Sequence, residues 1–198
     1  MQEPIEFSVQ AMKRLARYLL GRPRVVYNYK WQEAFGGDVC ADTDPAGRRR
    51  TRKSTIGGVV MIAKHLIKSW STAQPSLTMS SGEAEMVGAT RAAAAALGFR
   101  SVMVDKGPDW SGRFWTISTA SISMCSRQGL GKVSHSDVHI MWFQQRIRNH
   151  DLDLYKVFCE ESPTDLMTKV KILLVSVSHL HKFMGCSFGD GQPSSAPG

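Results

Sequence analysis

The chain has 198 residues, 42% of them hydrophobic and 9% aromatic, which suits one globular domain of ordinary size with enough apolar material for a core. Lys and Arg number 25 against 17 Asp and Glu, and the formal charge of +8 favours phosphate backbones or anionic membrane surfaces as partners. Four scattered cysteines without a CxxC pair argue against a disulfide scaffold, and no apolar run reaches the ~20 residues that span a bilayer.

In chain order, VQAMKRLARYLLG reads as a helix with Met12, Leu15, Leu19 and Leu20 on one face, ended by Gly21 and Pro23. VVYNYKW and DVCADTD alternate and read as strands. PAGRRRTRK is a basic turn-rich tip, and STIGGVVMIAKHLIKSWST supplies two β-rich runs divided at Lys64-His65, so an antiparallel three-stranded meander is predicted. SSGEAEMVGATRAAAAALGF opens with Ser80 as N-cap and Glu83 three residues on, a capping box before an alanine run, with its end expected near Gly98. RFWTIST is a short strand, SDVHIMWFQQRIRN an amphipathic helix and LDLYKVFC a strand. SPTDLMTKVKILLVSVSHLHKFM starts a last helix with Ser162 as N-cap and Pro163 in its first position. The order βββαβαβα predicts a mixed α/β sheet, and residues 188–198 read as a disordered tail.

The chemistry-bearing stretch runs from Cys40 to Glu85, with acids at a strand end, acids at a helix start and a basic, Trp-bearing hairpin between them. Carboxylates from a strand and a neighbouring helix can converge on divalent ions, while a basic hairpin holds a polyanion. Each residue also has a plainer reading. Asp42 and Asp44 suit a turn before Pro45, Glu83 suits a capping box, and Glu85 and Asp165 suit the positive end of a helix. HSDVH spaces His135 and His139 as in a zincin helix, but Ser136 stands where the glutamate base would be.

Taken together, the strand aspartate, the basic hairpin, SWSTAQ, SSGEAE and PTDLMTK resemble, in order, the ribonuclease H domain of copia-type LTR retrotransposon polyproteins. That resemblance implies a ribonuclease H-like mixed sheet over residues 25–187, with residues 1–24 as the connecting helix that follows a reverse transcriptase. It implies hydrolysis of the RNA strand of RNA–DNA hybrids by two Mg²⁺ (or Mn²⁺) ions, held by Asp42, Glu85, a third aspartate and Asp165. At the third position this chain has Ile117, which cannot ligate a metal; Asp105 and Asp109 fall in the turn before the strand. Pro45 replaces a tryptophan, and Ser162 and Thr164 replace the asparagine and alanine of the family's pattern. Weakened or absent cleavage is therefore expected, the alternative being a non-catalytic nucleic-acid-binding or structural module.

Nucleic-acid contacts are expected from Arg48, Arg49, Arg50, Arg52 and Lys53 in the tip, from Ser69, Ser71 and Gln74 on the strand after it, and from His135 in the SHSD block, with Asp137 beside it. Trp70 reads as core. The expected partners are an RNA–DNA hybrid or other nucleic acid and a reverse-transcriptase domain, with no membrane. The expected compartment is cytoplasmic or nuclear.

Overall fold

The computed structural model describes residues 6–33, 36–48, 51–107, 112–127, 137–157, 162–168 and 184–189. Its centre is a five-stranded mixed sheet in the order β4-β3-β2-β5-β6, built from β2 (Gly37–Asp44), β3 (Thr55–Ile62), β4 (His65–Ala73), β5 (Gly112–Thr116) and β6 (Asp153–Lys156). β2, β3 and β4 form the predicted antiparallel meander, with Asp42 opposite Gly57, and β5 and β6 extend the sheet in parallel from β2. This is the expected α/β ribonuclease H-like sheet.

The helix α2 (Ser81–Asp105) begins where the capping box placed it: the Ser80 side chain accepts the Glu83 amide at 3.1 Å, and the Glu83 carboxylate accepts the Met79 amide at 2.7 Å. It does not stop at Gly98. That glycine has nothing within 4 Å of where a Cβ would stand, and the helix runs on to Asp105 because a lone glycine costs only about 1 kcal/mol against alanine. The buried Ala84, Ala89, Ala92, Ala93 and Ala96 let α2 lie close to the sheet. Val39, Ala41, Val60, Met86, Phe114 and, from α4 (Asp137–Arg148), Ile140 and Phe143 complete this core, with Phe114 and Phe143 meeting edge to face at 5.2 Å. On the other face of the sheet a smaller cluster joins Cys40, Val59, Met61, Leu66 and Met184 to Leu166 and Met167 of α5 (Asp165–Thr168).

Three features differ from the expected order. A helix α3 (Thr119–Ser126) follows β5, capped by Ser118, whose hydroxyl accepts the Ser121 amide at 3.2 Å. TASISMCS has no clear apolar period, so the cap chemistry is its main signal. The strand β1 (Arg24–Tyr27) joins no part of the main sheet; it pairs antiparallel with β7 (Cys186–Gly189) as a separate ribbon, which extends ordered structure two residues into the segment read as a tail. Last, α1 (Glu6–Gly21) is amphipathic as predicted, yet none of its residues is buried. Most of the final helix expected after Thr168 lies outside the described residues, and among the described residues no helix is long and apolar enough to cross a membrane.

Candidate nucleic-acid and carboxylate site

Asp42 is the sixth residue of β2 and half-buried, on the sheet face that carries α5. Two close approaches fix its surroundings. At Gly88 of α2 a Cβ would stand 2.4 Å from the Thr43 hydroxyl, so only glycine lets the helix start lie against β2 here. The Ala84 carbonyl then accepts both the Thr43 hydroxyl at 3.4 Å and the Gln74 side-chain amide at 2.7 Å, which ties the start of α2 to β2 and to the end of β4. Glu85, the next residue, is thereby held near Asp42, in the second turn of α2 rather than the first.

On the far side, a Cβ at Gly57 would stand 2.6 Å from the Met167 Cβ and 2.7 Å from the Thr168 methyl, so this glycine seats α5 on β3. The Thr168 hydroxyl donates to the Asp42 carboxylate at 2.6 Å, and the Ser71 hydroxyl donates to the Met167 carbonyl at 2.5 Å. Asp165 opens α5, one turn before Thr168 and on the same side of that short helix. The two departures from the family's pattern beside it have a local account: the Ser162 and Thr164 hydroxyls are fully buried and hydrogen-bond to each other at 2.6 Å.

Burial, and after it the neighbouring Asp42 charge, push the Glu85 carboxyl up from its usual 4.5 to about 8. The shift records two acids held close together in a partly buried place. The third position is unsuited to a metal. β2 and β5 run parallel with Ala41 level with Thr116, so Ile117 follows Thr116 as Asp42 follows Ala41. The register is pinned on both sides of the isoleucine, since the Thr116 carbonyl accepts the Val157 amide at 3.1 Å and the Thr116 hydroxyl accepts the Ser118 amide at 3.1 Å. Asp105 is the last residue of α2, not part of β5, and Asp109 lies outside the described residues. Among the described residues no group of three or more His, Cys, Asp or Glu side chains stands together as a metal site. The donor set does not fit a divalent ion.

The expected substrate contacts divide. Arg48 and Arg52 are exposed on the tip, which is closed by the Arg48 amide donating to the Lys53 carbonyl at 3.2 Å. Lys53 turns its ammonium to the Pro75 carbonyl at 2.6 Å. Ser69 is exposed, while Ser71, although exposed, spends its hydroxyl proton on α5. Gln74 does not belong to the surface: it is 1% exposed, and its amide is committed to the Ala84 carbonyl because a buried polar group must find a partner. Arg49, Arg50 and His135 lie outside the described residues, and His139 is exposed on α4. The residue beside the candidate acids that the sequence did not single out is Thr168, whose TDLMT spacing puts it one turn from Asp165.

The remaining reactive groups lie elsewhere. Burial pushes the Cys40 and Cys125 thiols up to about 12, so neither is a nucleophile near neutrality. A cavity of about 990 Å³ opens at the Asp38 end of β2, lined by Lys30, Asp38, Cys40, Met61, His65 and Trp115 among others, and it reaches none of Asp42, Glu85 and Asp165.

The arrangement of strands and helices matches a known fold. A ribonuclease H1 isolated from compost by a metagenomic approach superposes with a TM-score of 0.54, at 14% identity, over 67% of this chain and 92% of that one. The foamy viral protease-reverse transcriptase in complex with RNA/DNA hybrid gives a TM-score of 0.49 at 11% identity, over 75% of this chain and 21% of that one. The chain has a ribonuclease H-like fold. In sequence it is 24% identical over 177 residues to the retrovirus-related Pol polyprotein from transposon TNT 1-94 of Nicotiana tabacum, covering 86% of this chain but only 13% of the relative's length. It is thus a ribonuclease H-like domain related to a retrotransposon Pol polyprotein. No family model matches the chain.

Proposed function

We propose that this domain engages an RNA–DNA hybrid, or a nucleic acid of similar shape, and that its hydrolytic site is degenerate. The observation that carries the second half is Ile117, one residue past the Ala41–Thr116 pair, at the third position, where the family resemblance calls for an aspartate. The first half is supported by the fold, by the relation to a Pol polyprotein and by the exposed Arg48 and Arg52 on the tip that follows Asp42 and Asp44. A formal charge of +8 supplies the long-range attraction to phosphate.

Asp42, Glu85 and Asp165 are the remnant of the site that would have held Mg²⁺ or Mn²⁺. Losing one preorganised electrostatic group costs a hydrolytic site on the order of 10²- to 10³-fold in rate. The relation to a longer polyprotein also supports a reverse-transcriptase domain as the partner in the same chain.

Two measurements test this reading. The chain should bind a labelled RNA–DNA hybrid with an affinity that falls steeply as salt rises, and cut it little or not at all in Mg²⁺ or Mn²⁺. Ile117→Asp should bring cleavage up. Robust cleavage by the unaltered chain, abolished by Asp42→Asn, would overturn the degenerate reading, and salt-independent binding would overturn phosphate recognition.

A further inference from the structure

The geometry points to Thr168 as a positioning residue for Asp42, one member of a two-part lock in which Ser71 holds the adjacent Met167 carbonyl of α5. Thr168 is 4% exposed and donates its hydroxyl to Asp42 at 2.6 Å across 126 residues of chain. One residue earlier, the Met167 carbonyl receives the Ser71 hydroxyl from β4. Between the two bonds lies Gly57 on β3, where any side chain would strike Met167 and Thr168. Three adjacent strands therefore each contribute one element: an acceptor on β2, a gap on β3 and a donor on β4.

The two bonds and the gap at Gly57 seat the start of α5 on the sheet and fix the orientation of Asp42 relative to Asp165. A hydroxyl that could have met a substrate backbone, as the sequence suggested for Ser71, serves the scaffold instead. The bearing of the lock on nucleic-acid chemistry rests on the function proposed above; the lock itself does not.

Threonine has two parts that can be separated. If the hydroxyl is what matters, Thr168→Val, which keeps the shape, should shift the unfolding equilibrium of the full chain about tenfold toward the unfolded state, as for the loss of one hydrogen bond to a carboxylate. Thr168→Ser, which keeps the donor, should shift it much less. The reverse order, Ser harmful and Val neutral, would mean that the methyl packed on Gly57 is the functional part and would overturn the proposal. A double-mutant cycle adds the direct link: the Val effect should vanish in an Asp42→Ala chain, and an undiminished effect there would also overturn it. Should Thr168→Val fail to fold while Thr168→Ser folds, the hydroxyl is required, as proposed.

In the Ile117→Asp chain, Thr168→Val should lower the cleavage rate at least tenfold with little change in KM, and Thr168→Ser should restore most of it. If Ile117→Asp does not cleave at all, the hydrolytic reading falls, while the Ser-versus-Val order in unfolding still decides the lock.

Discussion

The two ends of β2 treat an aspartate in opposite ways. At one end Asp38 is answered in full: the Arg113 guanidinium sits at 2.8 Å from one carboxylate oxygen and 2.9 Å from the other, and the Trp115 indole donates at 2.6 Å. At the other end Asp42 receives the neutral hydroxyl of Thr168 and faces a second acid, Glu85, whose proton it helps to retain. An acid beside an acid is costly to the fold, and a stability argument alone would not place it there. The contrast sets an acid matched by a cation and an indole against one held beside a second acid, as the proposed remnant site would require.

Four substitutions sharpen that contrast. The largest effect is expected from Gly57→Val, which drives a branched side chain into Met167 and Thr168; overpacking of this kind costs about 3 kcal/mol, read as a lowered midpoint in urea unfolding, and hybrid binding should fall with it. Asp38→Ala should cost about 2 kcal/mol in the same measurement, since it strips the partner from a half-buried guanidinium and indole. If Asp38→Ala were neutral, the two ends would not differ in the way described.

Glu85→Gln tests the acid pair by pH. The folded chain holds the Glu85 proton up to about 8 against the usual 4.5, so its contribution to stability is full below the lower value and is lost as pH rises through the higher. The unaltered chain should lose stability across that window, and the Gln variant, which cannot ionise, should lose less. Unfolding midpoints at about pH 5 and about pH 9 decide it. The smallest effect on stability is expected at the tip: Arg52→Ala should change it by less than about 0.5 kcal/mol. If Arg52 meets phosphate, the same change should lower the salt slope of hybrid binding by about one. An unchanged slope would remove the tip from the binding surface.

The sequence carried local information well and tertiary information only where several blocks coincided. Ser80 and Glu83 announced the start of α2, and turn chemistry announced the meander, because both act within a few residues. The order of blocks predicted that Asp42 and Glu85 lie together, which they do, and the sheet register puts Ile117 one step past the Ala41–Thr116 pair. Gln74 was misread as a surface residue because the carbonyl that satisfies it, at Ala84, belongs to a different element. Thr168 was passed over for the same reason: its partner lies 126 residues away. The pairing of β1 with β7 joins residues too distant for any local signal.

That ribbon has a mechanical consequence. Arg24 faces Gly189 and Tyr27 faces Cys186, so the outer rung is the one nearest both flanking stretches of chain. A load applied from the two flanks would meet this fork in peeling geometry, one rung at a time, before any of the five strands of the main sheet were strained. The ribbon would therefore open before the main sheet does.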